Sequence, residues 1–252
     1  MENIRIIPRL DIKGPNVVKG IYTEGLRIVG NPRDLARRYY QEGADEILYL
    51  DIVASLYQRN LDFELLKSVA DEVFVPLTVG GGIRSLGDIE NALRSGADKV
   101  AINTYALKHP EFLSEAAQRF GSQCVVLSVE AKRTAGGGWE AYTDGGREHS
   151  GADAIEWIKR AIELGAGEIV LTSVDKDGTK KGFDIDLISK VIVFTPVPVI
   201  VCGGAGNPES FVEILNKHRL EGLSAASIFH YGDYLVKDIK KHLSSKDFSI
   251  RT

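Results

Sequence analysis

An α/β fold closed into a single (β/α)₈ TIM barrel, with a twofold half-barrel repeat, is predicted by three features of this sequence. The length of 252 residues is one at which such barrels are common as single domains. Short apolar, β-branched runs alternate with amphipathic stretches from end to end, the pattern of βα units around a parallel sheet. The second half also repeats the first. Gly43-Ala44-Asp45-Glu46 leads into an apolar run ending at Asp51, and Gly165-Ala166-Gly167-Glu168 leads into one ending at Asp175. Gly43 and Gly165 are 122 positions apart, as are Gly81 and Gly203 in the matching runs 75–82 and 197–204. No Pro/Ser-rich linker divides the chain, so one domain is expected over 1–252, with half-barrels of approximately 1–122 and 123–252. Twofold symmetry leaves no distinguished edge strand, which favours a closed barrel over an open sheet.

Taken in order, the strands fall at 4–10, 46–51, 75–79, 99–103, 124–130, 168–173, 198–202 and 223–227, each a short apolar run rich in Ile, Val and Leu. The first helix starts at Asn31-Pro32, an N-cap followed by a proline in the first turn, and Ser85 caps the third. Segments 61–73, 109–119, 152–164, 184–194, 207–217 and 233–243 show the helical spacing of apolar residues. Two connections, 12–31 and 131–151, are too long for simple βα loops. They are symmetry-related, and long loops over a catalytic face are lid candidates.

Composition narrows the function. Charged residues make up 26% and the net charge is −4, so nothing favours nucleic acid or an anionic membrane as a general partner, and any phosphate affinity must be local. The N-terminal run is broken by Arg5, Arg9 and Asp11 before an apolar signal region forms, and no run approaches the ~18 apolar residues of a membrane span. Cys124 and Cys202 both sit in apolar runs, as reduced buried thiols do. A cytoplasmic protein is expected. His109, His149, His218, His230 and His242 lack metal-ligand spacing, so no metal or other cofactor is expected, and scattered histidines are usually surface groups. Trp139 and Trp157 read as loop and helix packing residues.

Chemistry belongs at the strand C-termini of such a barrel. Asp11, Asp51, Glu130 and either Asp175 or Asp177 end apolar strands there. The first and fifth strands lie across the barrel from each other, so Asp11 and Glu130 face one another, and facing carboxylates suit general acid and base work. The plainer alternative makes one of them a salt-bridging group beside Lys13, Lys19 or Lys132. Gly80-Gly81-Gly82 and Gly203-Gly204-Ala205-Gly206 follow the third and seventh strands, each expected to open a helix whose N–H groups hold a phosphate. Asn103-Thr104 and Ala226-Ser227 supply a hydroxyl beside each. Two such turns half a barrel apart imply a substrate with a phosphate at each end.

With these residues in view, the chain resembles the HisF family, the cyclase subunits of imidazole glycerol phosphate synthase, over essentially its whole length. The matching stretches are LDIKGPNVVKG, GADEILYLDI, PLTVGGGIR, GADKVAINT, FGSQCVV, GAGEIVLTSVDKDGTKKGFD, CGGAG and AASIFH. The resemblance implies a twofold barrel that takes ammonia from a separate glutaminase subunit (HisH-like), as a heterodimer. The reaction implied converts a bis-phosphorylated formimino aminoimidazole carboxamide ribonucleotide to imidazole glycerol phosphate and aminoimidazole carboxamide ribonucleotide. By position, Asp11 matches the family's first catalytic aspartate and Lys19 a lysine of its mobile first loop. Gly82, Asn103 and Thr104 match one phosphate site; Asp177, Gly178, Gly204, Ala226 and Ser227 match or adjoin the other. Arg5, Glu46, Lys99 and Glu168 match a ring of charges where ammonia enters at the opposite face, and a salt-bridged structural plug is the alternative there. Asp98 resembles a residue at the glutaminase interface.

Three departures bear on function. Glu130 stands where the family has its second catalytic aspartate, Arg9 where it usually has a cysteine, and Cys202 where it has a serine. Glutamate carries its carboxylate roughly 1.5 Å farther out, and misplacement by ~1 Å can cost a hundredfold in rate. Arg9 shares the inward face of the first strand with Asp11 and is placed to clamp either acid, lowering its pKa and removing it from proton shuttling, or to contact a different substrate. Two other functions therefore compete with the cyclase. One is a paralogue channelling ammonia from a glutaminase to a sugar-amidating enzyme of surface polysaccharide synthesis; the other is an isomerase of the related HisA kind.

Overall fold

The computed structural model describes residues 3–251, so Met1, Glu2 and Thr252, at the ends of the expected domain, lie outside the described residues. The chain runs β1 (Arg5–Lys13), β2 (Asn16–Ile21), β3 (Glu24–Gly30), α1 (Pro32–Gln41), β4 (Ile47–Asp51), α2 (Phe63–Ala70), β5 (Leu77–Gly80), α3 (Leu86–Arg94), β6 (Lys99–Ile102), α4 (Thr104–Lys108) and α5 (Glu111–Phe120). It continues through β7 (Val125–Arg133), β8 (Trp139–Thr143), β9 (Glu148–Asp153), α6 (Ala154–Glu163), β10 (Glu168–Ser173), α7 (Ile185–Ile192), β11 (Val199–Cys202), α8 (Pro208–Lys217), β12 (Gly222–Ala225), α9 (Ser227–His230) and α10 (Val236–Ser244). Eight strands pair in parallel in the order β1-β4-β5-β6-β7-β10-β11-β12, and β12 returns to β1 with Arg5 opposite Gly222. All eight lie on the runs expected to be strands.

The two-residue period of a strand divides each run between two cores. Ile7, Leu48, Ala101, Val126, Val170 and Ile200 fill the barrel interior. Their neighbours Ile6, Tyr49, Val100, Leu127, Ile169 and Val201 face outward and pack under helix residues such as Ile89, Ile158 and Phe211. Burial on both faces is why these strands read as continuous apolar runs rather than as alternating ones.

The two long connections are not loops. β1 and β7 continue past the barrel rim, and each turns into an antiparallel hairpin, β2–β3 after β1 and β8–β9 after β7. Gly14, Pro15, Gly20, Gly25 and Gly30 punctuate the first of them and hide its strand character in the sequence. Trp139, expected in a loop, is a buried residue of β8, whereas Trp157 packs on α6 as expected. His230 departs from the surface placement expected for the histidines: it is buried, its Nδ1 2.6 Å from the Tyr39 hydroxyl, and burial pushes its pKa down to about 4. No helix of the described residues is long and apolar enough to cross a membrane.

Helix starts follow from side-chain caps. Asn31 Oδ1 accepts from Arg33 N at 2.9 Å ahead of Pro32, and Ser85 Oγ accepts from Asp88 N at 3.1 Å. Asn207 begins α8 with a reciprocal cap: its Oδ1 accepts from Ser210 N at 2.9 Å while Ser210 Oγ accepts from the Asn207 N–H. Asn207→Ala is expected to destabilise the fold by about 1 kcal/mol, read as a lowered urea midpoint with an unchanged slope. Serine at the same position should recover most of that loss.

Candidate active site

Asp11 and Glu130 stand at the rim on β1 and β7, strands half a barrel apart, and both are buried. Their surroundings differ sharply. Asp11 Oδ1 accepts from Arg9 Nε at 2.6 Å and its Oδ2 from Lys19 Nζ at 2.9 Å. Burial alone would raise this carboxyl; the two cations more than offset it and hold Asp11 well below the usual carboxylate range. Glu130 accepts from Asn103 Nδ2 at 2.8 Å, with the backbone N–H of Gly146 close by. There burial prevails over Arg9 and Arg147, and the pKa is pushed up to about 7. Of the two acids Arg9 was placed to clamp, it is Asp11 that its guanidinium holds.

The other strand-end acids separate by partner. Asp177 takes both oxygens to Lys19 Nζ, at 2.8 and 2.9 Å, so a single buried ammonium bridges Asp11 and Asp177. Asp175 instead caps the Arg133 N–H at 2.7 Å beside the mouth. Asp51 is held by Arg59 at 2.7 Å and by the Val53 N–H.

Two cavities open between these groups. The larger, about 290 Å³, is lined by Gly82, Asn103, Thr104 and Glu130, together with Asp51 and Asp144. The smaller, about 20 Å³, is lined by Arg9, Lys19, Asp177, Gly178, Gly204, Ala226 and Ser227. The residues assigned to the two phosphate sites thus divide between two pockets. The glycines are required by close approach: Gly81 has φ +101° and a Cβ there would lie 2.2 Å from Asp51 O, while Gly204 has φ +102° with Gly182 O at 2.0 Å. One expectation is corrected. The helices after these turns begin only at Leu86 and Pro208, where Ser85 and Asn207 provide the caps, so the turns do not open them. The short α4 and α9 start at Thr104 and Ser227 instead.

The two hairpins meet over the mouth. Tyr22 and Thr23 form the β2–β3 turn with φ of 55° and 63°, a left-handed pair that usually needs Asn or Gly. Tyr22 N donates to Asp177 O at 2.9 Å, and Thr23 O accepts from Arg147 Nη2 of the β8–β9 turn at 2.8 Å. These bonds fix the strained turn and seat Lys19 inside the mouth. Sequence reasoning missed Arg147, and also the inward polar residues Ser128, Thr172 and Ser224. Ser128 was accessible to it, since it lies two residues before Glu130 and so on the same face.

At the opposite end of the barrel, Arg5, Glu46, Lys99 and Glu168 form a closed ring of alternating charge. Arg5 pairs with Glu46 and Glu168 at 2.5 Å each, and Lys99 with Glu46 at 2.8 Å and Glu168 at 2.5 Å. Thr78 Oγ1 adds a hydrogen bond to Glu46 at 2.6 Å. Asp98, exposed on the same end, accepts from Leu77 N at 2.8 Å. No group of His, Cys, Asp and Glu among the described residues is arranged to hold a metal ion.

Comparison with known proteins finds relatives over nearly the whole chain. A family model described as histidine biosynthesis protein matches residues 5–235. The imidazole glycerol phosphate synthase subunit HisF of Legionella pneumophila is 58% identical over 211 residues, 84% of this chain and 100% of that protein. The protein of the same name from Streptococcus mutans is 48% identical over 247 residues, 98% of each chain. Its counterpart from Dehalococcoides mccartyi is 47% identical over 251 residues, 100% of this chain and 99% of the other.

Proposed function

Because the chain belongs to the histidine biosynthesis protein family, we infer that it is the ammonia-using cyclase of histidine biosynthesis. It converts the bis-phosphorylated formimino aminoimidazole carboxamide ribonucleotide into imidazole glycerol phosphate and aminoimidazole carboxamide ribonucleotide. Its relatives are named as subunits, so it works with a partner subunit; the partner we propose is a glutaminase, in a heterodimer.

The observation that carries the site assignment is the placement of two unlike acids between two glycine-lined pockets half a barrel apart. One phosphate is assigned to Gly82, Asn103 and Thr104, and the other to Gly178, Gly204, Ala226 and Ser227 with Asp177 alongside. The substrate's reacting centre then lies between Asp11 and Glu130. Joining ammonia to a carbonyl carbon and expelling a nitrogen leaving group requires protons to move in both directions. A buried carboxyl with a pKa of about 7 exchanges protons readily in that range. Lys19, held between Asp11 and Asp177, brings a third ionised group to the substrate. Ammonia is assigned to the ring of Arg5, Glu46, Lys99 and Glu168, with the glutaminase docked near Asp98 on the same end.

The test is direct. Purified chain, the bis-phosphorylated ribonucleotide and a high concentration of ammonium at alkaline pH should give substrate loss without any glutaminase. No loss by a correctly folded chain removes the cyclase reading and leaves ammonia delivery to a separate amidating enzyme.

A further inference from the structure

The position of Arg9 makes the two symmetry-related acids unequal. Arg5, Ile7, Arg9 and Asp11 alternate inward along β1, so the Arg9 guanidinium lies inside the barrel, above the apolar layer of Ile7, Val126, Val170 and Ile200 and below the acids. It is 4% exposed. Nε donates to Asp11 at 2.6 Å, and Nη1 reaches across to Thr172 Oγ1 on β10 at 2.9 Å, three strands around the barrel. With Lys19 on the other oxygen, both Asp11 oxygens accept from buried cations. Glu130 has no ion pair among the described residues; its side-chain hydrogen bond is to the neutral Asn103 amide.

We propose that Arg9 is a positioning residue: by pinning Asp11 between itself and Lys19 it fixes that acid as a permanent anion and leaves Glu130 as the group that exchanges protons. The proposal rests on reading these two acids as catalytic. The charged groups facing Glu130 are Arg9 and Asp11 from β1 and Arg147 from the β8–β9 turn. From β8 it is paired with Tyr142, whose hydroxyl is engaged by His149, and from β10 with the neutral Thr172. Desolvation raises Glu130, and Arg9 opposes that rise. Removing the Arg9 charge therefore lifts both acids: Glu130 loses an attraction, and Asp11 keeps only Lys19.

Carboxyl ¹³C NMR on protein labelled at the Glu Cδ and Asp Cγ carbons reads this without turnover. The wild type should show one glutamate titrating near pH 7 that disappears in Glu130→Gln. In Arg9→Met that midpoint should rise by about one unit, and an aspartate silent in the wild type should begin to titrate in mild acid. Arg9→Lys, which keeps the charge, should leave both close to wild type. Arg9→Gln is the second neutral variant should the methionine not fold. Ammonia-driven turnover, corrected for free ammonia, should bend at the Glu130 midpoint in each variant. Unchanged midpoints in the neutral variants, or no glutamate titrating near neutrality, would overturn the proposal, since a packing role alters only amplitude. Shifted midpoints in a chain that turns over no substrate would sustain the electrostatic assignment and sink the cyclase reading.

Discussion

Glu130→Gln is expected to lower ammonia-dependent turnover by about two to four orders of magnitude, and at the same time to make the protein more stable above neutral pH. The two effects share a cause. Glu130 is buried with the neutral Asn103 amide at its carboxylate, and its pKa stands at about 7 against an ordinary value of 4.5. The folded state holds this proton more tightly than the unfolded chain does. Folding therefore carries no penalty from Glu130 below the ordinary value; the penalty grows as pH rises toward 7 and levels off above it. Near pH 8 it amounts to something on the order of 3 kcal/mol. Glutamine has nothing to ionise, so urea midpoints of variant and wild type should nearly coincide at about pH 4 and separate progressively up to about pH 8, the variant higher. Lost turnover with parallel midpoints would show that Glu130 is not desolvated. Intact turnover would remove it from the chemistry. Glu130→Asp addresses geometry: if the longer side chain is matched to this site, aspartate should also be slow.

The barrel was legible because its strands are buried on both faces and its turns need glycine, and both requirements leave plain marks at 47–51, 77–80 and 199–202. The repeat pairs Asp11 with Glu130, and the strand order puts β1 and β7 half a barrel apart. The hairpins were hidden because β2 and β3 are short, glycine-broken and half exposed, so apolar periodicity hardly marks them. The glycine turns fall where the sequence puts them but do not open the helices that follow: Ser85, already legible as a cap, and Asn207 start those helices four residues after Gly81 and Gly203. The choice Arg9 makes was beyond the sequence for a different reason. An inward arginine two residues below Asp11 could have turned to Asp11 or to Glu130, and what decides is Thr172, a hydroxyl contributed from three strands away that anchors the far end of the guanidinium.

Glu46→Ala should destabilise the chain by about 3–5 kcal/mol, although it lies at the end of the barrel opposite Asp11 and Glu130. The Glu46 side chain is 1% exposed and carries three partners, Arg5, Lys99 and the Thr78 hydroxyl. Its removal leaves two cations competing for Glu168 and a buried hydroxyl without an acceptor. Urea unfolding would measure the loss; one below 1 kcal/mol would mean that water already screens the ring. The contrast lies with replacing the whole ring. Four well-packed apolar residues at positions 5, 46, 99 and 168 are expected to keep the fold at equal or greater stability, because the attraction within a buried ionic cluster seldom exceeds its desolvation cost by much. If that holds, stability does not account for a four-membered ring at the barrel floor, and control of what passes through the floor does. The apolar variant should then retain turnover driven by free ammonium while losing its coupling to a glutaminase. Coupling that survives the replacement would reduce the ring to a structural plug.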